Sequence, residues 1–63
     1  MIETKKYEIW DSETGKVSPC SGMTGTHGEM RQALRDTHNP QDGMEFLVRE
    51  LPDGDEYRIF VRA

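Results

Sequence analysis

The sequence predicts an α+β domain in which one helix packs on one face of a four-stranded antiparallel sheet, in the order ββαββ. Two stretches of alternating apolar and polar residues, each broken by a cluster of turn residues, predict two β-hairpins. A single helical pattern lies between them. With 63 residues and 33% hydrophobic content, the chain suffices for one small domain with a thin core, spanning residues 1–63.

The first hairpin begins with the alternating segment 5–10, which leads into the turn residues 11–16. Gly15 suits the position where such a turn needs a positive φ before the chain returns. If Asp11 lies opposite Lys16, the register is fixed along both strands. It then places Trp10 opposite Val17, Ile9 opposite Ser18 and Tyr7 opposite Cys20. Pro19 predicts that the returning strand is short and lies at a sheet edge.

The second hairpin alternates more clearly, over residues 44–49 and 57–63, around a turn at 51–55. The apolar faces of the two strands must agree, because a slip of one residue turns every side chain over. We therefore expect Val48 opposite Ile59, Phe46 opposite Val61 and Met44 opposite Ala63. On the reverse face the same register pairs Leu47 with Phe60, Glu45 with Arg62 and Arg49 with Arg58. The two arginines repel each other unless a nearby acid or an anionic partner relieves them.

The helix is predicted to begin after Thr26, which has the capping-box spacing with Glu29, and to end at Asn39-Pro40. Its narrow apolar stripe covers only one side of the sheet. A strand order of 2-1-3-4 connects the elements with short links. The predicted core comprises Tyr7, Ile9, Cys20, Met30, Ala33, Leu34, Met44, Phe46, Val48, Tyr57, Ile59 and Val61.

The opposite sheet face carries large apolar residues where a small monomer should be polar. We predict a partner-binding surface there, formed by Trp10, Val17, Leu47 and Phe60 and edged by Arg49, Arg58 and Arg62. The alternative is that these are ordinary exposed apolar residues, with Leu47 and Phe60 forming only a cross-strand pair.

The sequence contains no convincing motif for catalysis or for binding a cofactor. The glycines of segment 21–28 precede a helix N-terminus, where backbone N–H groups can hold an anion, but the segment lacks the Lys-Ser/Thr of a phosphate loop. A flexible connection explains it more simply. Cys20, His27 and His38 match no familiar zinc spacing. We therefore predict no enzyme activity, no catalytic residues, no metal and no cofactor.

Charge points to protein partners. The net charge of −4 disfavours non-specific binding to nucleic acid. Acidic residues concentrate at the two hairpin tips, and we expect them to meet a basic surface: Asp11, Glu13, Glu50, Asp53, Asp55 and Glu56. In size, charge and freestanding character the chain resembles the small acidic inhibitors, anti-CRISPR proteins for example, that phages and mobile elements direct at nucleic-acid-handling host complexes. No segment matches a motif of a named family.

The function predicted from the sequence is therefore a non-enzymatic protein-binding module, most concretely an inhibitor or adaptor that occupies a surface of its partner. Two alternatives stay open. Single-stranded nucleic acid could stack on Trp10 and Phe60 while nearby cations meet its phosphates, or the same face could join two copies in a homodimer. The single Cys20 excludes an internal disulfide, and the N-terminal residues contain no apolar stretch for a signal peptide or membrane span, so we expect a cytoplasmic protein.

Overall fold

The computed structural model describes residues 3–63 and confirms the ββαββ arrangement. Its elements are β1 (Lys5–Asp11), β2 (Thr24–Gly25), α1 (His27–His38), β3 (Met44–Leu51) and β4 (Glu56–Val61). The strands form one antiparallel sheet in the predicted order β2-β1-β3-β4. Within the described residues, no helix is both long and apolar enough to cross a membrane.

The first turn forms as predicted. The Asp11 N–H donates to the Lys16 carbonyl at 2.8 Å, and the Gly15 N–H donates to the Asp11 carbonyl at 2.8 Å. Gly15 has a φ of 75°, the positive value that this turn needs. Trp10 pairs with Val17, as expected.

The returning strand is short and lies at the sheet edge, but its position was predicted wrongly. The Ser18 N–H still donates to the Ile9 carbonyl at 2.9 Å, in keeping with the predicted place of Ser18 opposite Ile9. Beyond Ser18 the chain turns away from β1 and rejoins it over residues 22–25, so Tyr7 hydrogen-bonds with Gly22 and Met23 and does not face Cys20. Two local turns hold this excursion, with Ser21 N–H donating to the Ser18 carbonyl at 2.9 Å and Met23 N–H to the Cys20 carbonyl at 3.2 Å. Pro19 lies within it and has no N–H to give to a strand ladder. The glycine segment expected to be a flexible connection thus supplies β2.

The second hairpin keeps the predicted faces but not the predicted partners. Phe46 lies opposite Ile59 and Val48 opposite Tyr57, a shift of two residues, so the expected pairs Val48–Ile59, Phe46–Val61 and Met44–Ala63 were wrong. The turn closes tightly because the Gly54 N–H donates to the Glu50 carbonyl at 2.7 Å. A Cβ at Gly54 would come within 2.5 Å of that oxygen, so only glycine fits without a shift of the backbone.

The helix has the predicted capping box: the Thr26 hydroxyl accepts from Glu29 N–H at 3.2 Å, and the Glu29 carboxylate accepts from Thr26 N–H at 2.9 Å. Asn39 ends it in the left-handed conformation, with its N–H on the Arg35 carbonyl. Met30 and Leu34 are its buried residues.

The core lies between the helix and the predicted face of the sheet. Its buried apolar residues are Tyr7, Ile9, Met30, Leu34, Phe46, Val48, Ile59 and Val61, all predicted. Cys20, Met44 and Tyr57 pack against it while partly exposed, and Met23 joins them. Ala33, also predicted as core, is only partly buried and stands outside this cluster.

Candidate functional site

The sheet face away from the helix is defined by strand alternation and by the observed register. We call it the open face. Its strand residues are Lys6, Glu8 and Trp10 of β1, Glu45, Leu47, Arg49 and Leu51 of β3, and Glu56, Arg58 and Phe60 of β4, with Val17 beside Trp10. All four apolar residues predicted as a binding surface lie on this face.

Three of those residues form a row across the sheet. Val17 pairs with Trp10, and Trp10 pairs with Leu47. Val17 is 64% exposed, whereas Trp10 and Leu47 are half-buried by their neighbours. Directly opposed side chains in a sheet lie about 4.5–5.5 Å apart at Cβ. The row is therefore a continuous apolar strip with the only tryptophan of the chain at its centre.

Phe60 stands beside the row and not in it, so the predicted pairing of Leu47 with Phe60 was wrong. Its strand partner is Glu45, while Leu47 faces Arg58. The ring leans over Gly43, since a Cβ built there would lie 2.1 Å from the ring Cζ. Gly43 has a φ of 93° and no side chain, which makes room for the ring. Even so, Phe60 is 56% exposed.

The positive and negative charges on the open face largely balance one another. Arg49 lies between Glu8 on one side and Glu56 on the other, so the predicted opposition of Arg49 and Arg58 does not occur. Arg58 Nε approaches Glu45 Oε1 at 3.9 Å, and the predicted pairing of Glu45 with Arg62 was wrong. The shifted register brings Glu56 onto the face as a neighbour of Arg49. The three cations of the strands (Lys6, Arg49, Arg58) are then matched by three acids (Glu8, Glu45, Glu56).

Arg62 follows the end of β4 and is exposed. Its carbonyl accepts from the Arg35 side chain of the helix at 3.0 Å, and the Phe60 carbonyl accepts from Arg31 at 2.9 Å. β4 is an edge strand, whose outward carbonyls would otherwise be free to pair with another chain. Arg31 and Arg35 therefore cap this edge. Nothing in the helical pattern of the sequence shows that Arg31 and Arg35 reach β4.

The predicted acidic tips lie at opposite ends of the sheet, because β1 and β3 are antiparallel neighbours. Asp11 and Glu13 lie at the end where β3 begins, while Asp53 and Asp55 lie where β3 ends. The Asp11 carboxylate caps its own turn, accepting from Glu13 N–H at 2.7 Å and Thr14 N–H at 3.1 Å. Asp55 and Glu56 line a shallow hollow of 440 Å³ on the open face, together with Trp10, Arg49 and Gly54.

Glu50, also predicted as a contact tip, is turned towards the helix side. Its side chain is only 22% exposed. It accepts from Lys5 Nζ at 2.9 Å and from the Tyr57 hydroxyl at 3.0 Å, and these bonds hold the pKa of its carboxyl below the ordinary value. Burial first, and then the bond to Glu50, raises the pKa of Tyr57. His27 Nδ1 lies 3.4 Å from the same hydroxyl. This cluster joins β1, the second hairpin and the start of the helix. No sequence motif indicates it, because Lys5 and Glu50 are 45 residues apart.

Cys20, His27 and His38 are held apart in different surroundings. His38 Nε2 lies 2.9 Å from the Ser18 hydroxyl, and Cys20 Sγ bonds to Thr37 at 3.2 Å. His27 is at the opposite end of the helix. Across residues 3–63 there is no cluster of three or more His, Cys, Asp or Glu side chains that could hold a metal ion.

Comparison of the chain with protein-family models, with curated proteins and with solved structures gave no match.

Proposed function

We propose that this protein is a non-enzymatic, cytoplasmic protein-binding module, an inhibitor or adaptor that lays its open face on a partner protein. One observation carries the proposal: Val17, Trp10 and Leu47 form an apolar row on the one sheet face that the helix leaves uncovered, with Phe60 beside it. Full burial of an exposed large apolar side chain is worth about 1.5–3 kcal/mol. Trp10 and Leu47 are already half-buried and gain only the remaining part, whereas Val17 and Phe60 are more than half exposed and gain the larger share.

The arrangement matches the anatomy of protein interfaces, in which aromatic residues occupy a desolvated centre and charged residues form the rim. Trp10 lies between two apolar neighbours at the centre. Around it, Arg49 already lies between Glu8 and Glu56. A partner therefore does not have to neutralise an isolated charge in order to bury the row. That balance favours a protein surface over the phosphate backbone of a nucleic acid, which needs an excess of cations.

Both edges of the sheet are poorly suited to pairing with a strand of the partner, which favours contact through the open face. Arg31 and Arg35 bond to backbone carbonyls along β4 at one edge, and β2 at the other edge is only two residues long. Addition of a partner strand to either edge is thus disfavoured.

Paired affinity capture from the native cell tests the proposal. Tagged wild-type protein and the helix-surface control Gln32→Ala should retain the same partner in near-stoichiometric amount. Trp10→Ala and Leu47→Ser should lose it while keeping the wild-type circular dichroism spectrum. Equal recovery with all four baits, or no recovery with any of them, would contradict the assignment of the open face.

Two measurements test the alternatives, which are a homodimer and binding of single-stranded nucleic acid. Light scattering of the purified protein at micromolar concentration should show a monomer, and a dimer abolished by Trp10→Ala would make a second copy the occupant. Titration with a single-stranded oligonucleotide at low salt should leave Trp10 fluorescence unchanged. A saturable change would instead support base stacking on the sheet.

A further inference from the structure

An open cleft of 420 Å³ lies at the end of the sheet where the first hairpin turn meets the start of β3. It borders the open face but does not include the apolar row. Its lining residues are Asp11, Ser12, Glu13, Gly43, Met44, Glu45 and Phe60. Neither the cleft nor its aromatic wall follows from the sequence pattern, because the expected register paired Phe60 with Leu47.

The wall of the cleft is the Phe60 ring. The outer end of the ring lies against the bare backbone of Gly43, where a Cβ would collide with Cζ, Cε1 and Cε2 at 2.1, 2.7 and 2.9 Å. The residue is nevertheless 56% exposed, so part of the ring remains open to solvent within the cleft. An exposed aromatic face is an electrostatically favourable site for a cation.

The rim of the cleft is acidic. Glu45 Oε1 accepts from the Ser12 hydroxyl at 2.6 Å, which orients the carboxylate, and Arg58 reaches it only at 3.9 Å. Glu13 is exposed, and no ion pair of Asp11 or Glu13 occurs in the described part of the chain. Three acidic residues therefore line the cleft, Asp11, Glu13 and Glu45, and no lysine or arginine is among its lining residues. One oxygen of Asp11 is held by its own turn, which leaves Glu13 and Glu45 to meet a ligand.

We propose that this cleft receives an arginine side chain of the partner protein, with the guanidinium stacked on Phe60 and hydrogen-bonded to the carboxylates of Glu45 and Glu13. The inference rests on the proposed function and adds that the partner is basic where it meets this end of the sheet. Arginine fits better than lysine because its planar group stacks on a ring and donates to two carboxylates at once.

Two other occupants fit less well. A bound metal ion would need its ligands gathered closely, and residues 3–63 contain no group of acidic or histidine side chains that could hold one. A second copy of the chain carries the same net charge of −4, which opposes association of two acidic ends. A basic segment on a different protein provides the charge that the cleft lacks.

The probe is a Gly-Arg-Gly peptide with blocked ends, titrated at low salt into ¹⁵N-labelled protein and followed by amide chemical shifts. We expect saturable shifts at Ser12, Gly43 and Phe60. The lysine peptide should bind about two- to fivefold more weakly, because an ammonium can neither lie flat on the ring nor donate through a planar fork to both carboxylates. The uncharged citrulline peptide should not bind.

Phe60→Leu and Glu45→Gln should each weaken arginine binding by a similar factor. Glu56→Gln removes the same charge from the opposite end of the open face and should not. Equal binding of the arginine and lysine peptides, or an equal loss with Glu56→Gln, would overturn the proposal in favour of general electrostatic attraction. The amide spectra report directly whether each variant is folded.

The assignment of the cleft and the assignment of the open face can be refuted separately. If the peptide does not bind but Trp10→Ala still loses the captured partner, the cleft assignment is wrong and the proposed function stands. If the peptide binds as expected but the Trp10 and Leu47 variants capture the same proteins as wild type, the open face is not the docking surface.

Discussion

Replacing Gly43 by alanine should destabilise the protein more than the same replacement at Gly22. Both glycines have nearly the same positive φ, 93° and 92°, but a Cβ at Gly43 meets the Phe60 ring at 2.1 Å whereas a Cβ at Gly22 meets nothing within 4 Å. The two substitutions therefore share the backbone strain and differ in the ring contact. Their difference isolates the packing of Phe60 on Gly43.

The magnitude follows from these contacts. Left-handed backbone costs an L-residue about 1–2 kcal/mol, offset in part by about 0.4–1 kcal/mol from the stiffer unfolded chain, so Gly22→Ala should cost about 1 kcal/mol. Gly43→Ala must also lift the Phe60 ring. Full burial of a phenylalanine is worth about 1.5–3 kcal/mol, and Phe60 is 56% exposed, so the displaced ring loses roughly a further 1 kcal/mol.

Thermal unfolding followed by circular dichroism measures both effects. A change of 1 kcal/mol shifts the midpoint by about 4–8 °C in a domain of this size, so Gly22→Ala should lower it by about 4–8 °C and Gly43→Ala by about 8–16 °C. In a Phe60→Ala background the two losses should become equal, because the ring is gone. Equal losses in the wild-type background, or an excess that survives Phe60→Ala, would refute the contact between the ring and Gly43.

Three further outcomes follow from other contacts. Thr26→Ala removes the cap of α1 and should lower the free energy of unfolding in urea by about 1 kcal/mol, whereas Thr14→Ala at the exposed turn should cost less. The pKa of Glu50 is depressed below 4.5 in the folded state, so its contribution to stability is present above that pH and is lost as pH falls through the depressed value. Glu50→Gln should therefore destabilise at pH 7 and converge with wild type as the pH falls through the depressed pKa of Glu50, while Asp53→Asn serves as the exposed control; a difference that stays constant as the pH falls would contradict the role of the charge. Arg31→Ala combined with Arg35→Ala uncovers the β4 carbonyls and should increase self-association in light scattering, which Arg58→Ala on the open face should not do.

Alternation predicted which side of each strand is buried, and it succeeded because the faces of β1, β3 and β4 are set by single-residue parity. Parity cannot distinguish a register from one shifted by two residues, since both keep every side chain on its face. Features other than the alternation select the observed register of β3 against β4. Gly54 allows the turn to close on the Glu50 carbonyl, and the shifted register places Arg49 beside Glu56 and away from Arg58. The expected register placed Arg49 opposite Arg58. The repulsion between these two arginines was therefore evidence against that register.

The position of β2 could not be predicted for a different reason. Residues 18–23 are held by turns and by single contacts such as the Ser21 hydroxyl accepting from Ile9 N–H at 3.0 Å, and none of these produces a periodic pattern. A strand of two residues carries no alternation to detect. The same limit applies to the cluster of Lys5, Glu50, Tyr57 and His27, whose members come together only once the register and the helix position are fixed.

The two-residue shift also changes what the open face offers to a partner. In the expected register Phe60 would close against Leu47, and the apolar surface would be one strip edged by repelling arginines. In the observed register the strip ends at Arg58, Arg49 has Glu8 and Glu56 as its neighbours, and Phe60 is free to lean on Gly43 and form the wall of an acidic cleft. An apolar strip and a cation-accepting cleft on adjoining surfaces make different demands of a partner, namely a flat apolar patch and, beyond it, a basic side chain. A protein that meets only one of these demands should bind more weakly than one that meets both, because each contact adds its own share of the binding free energy when the sites are independent.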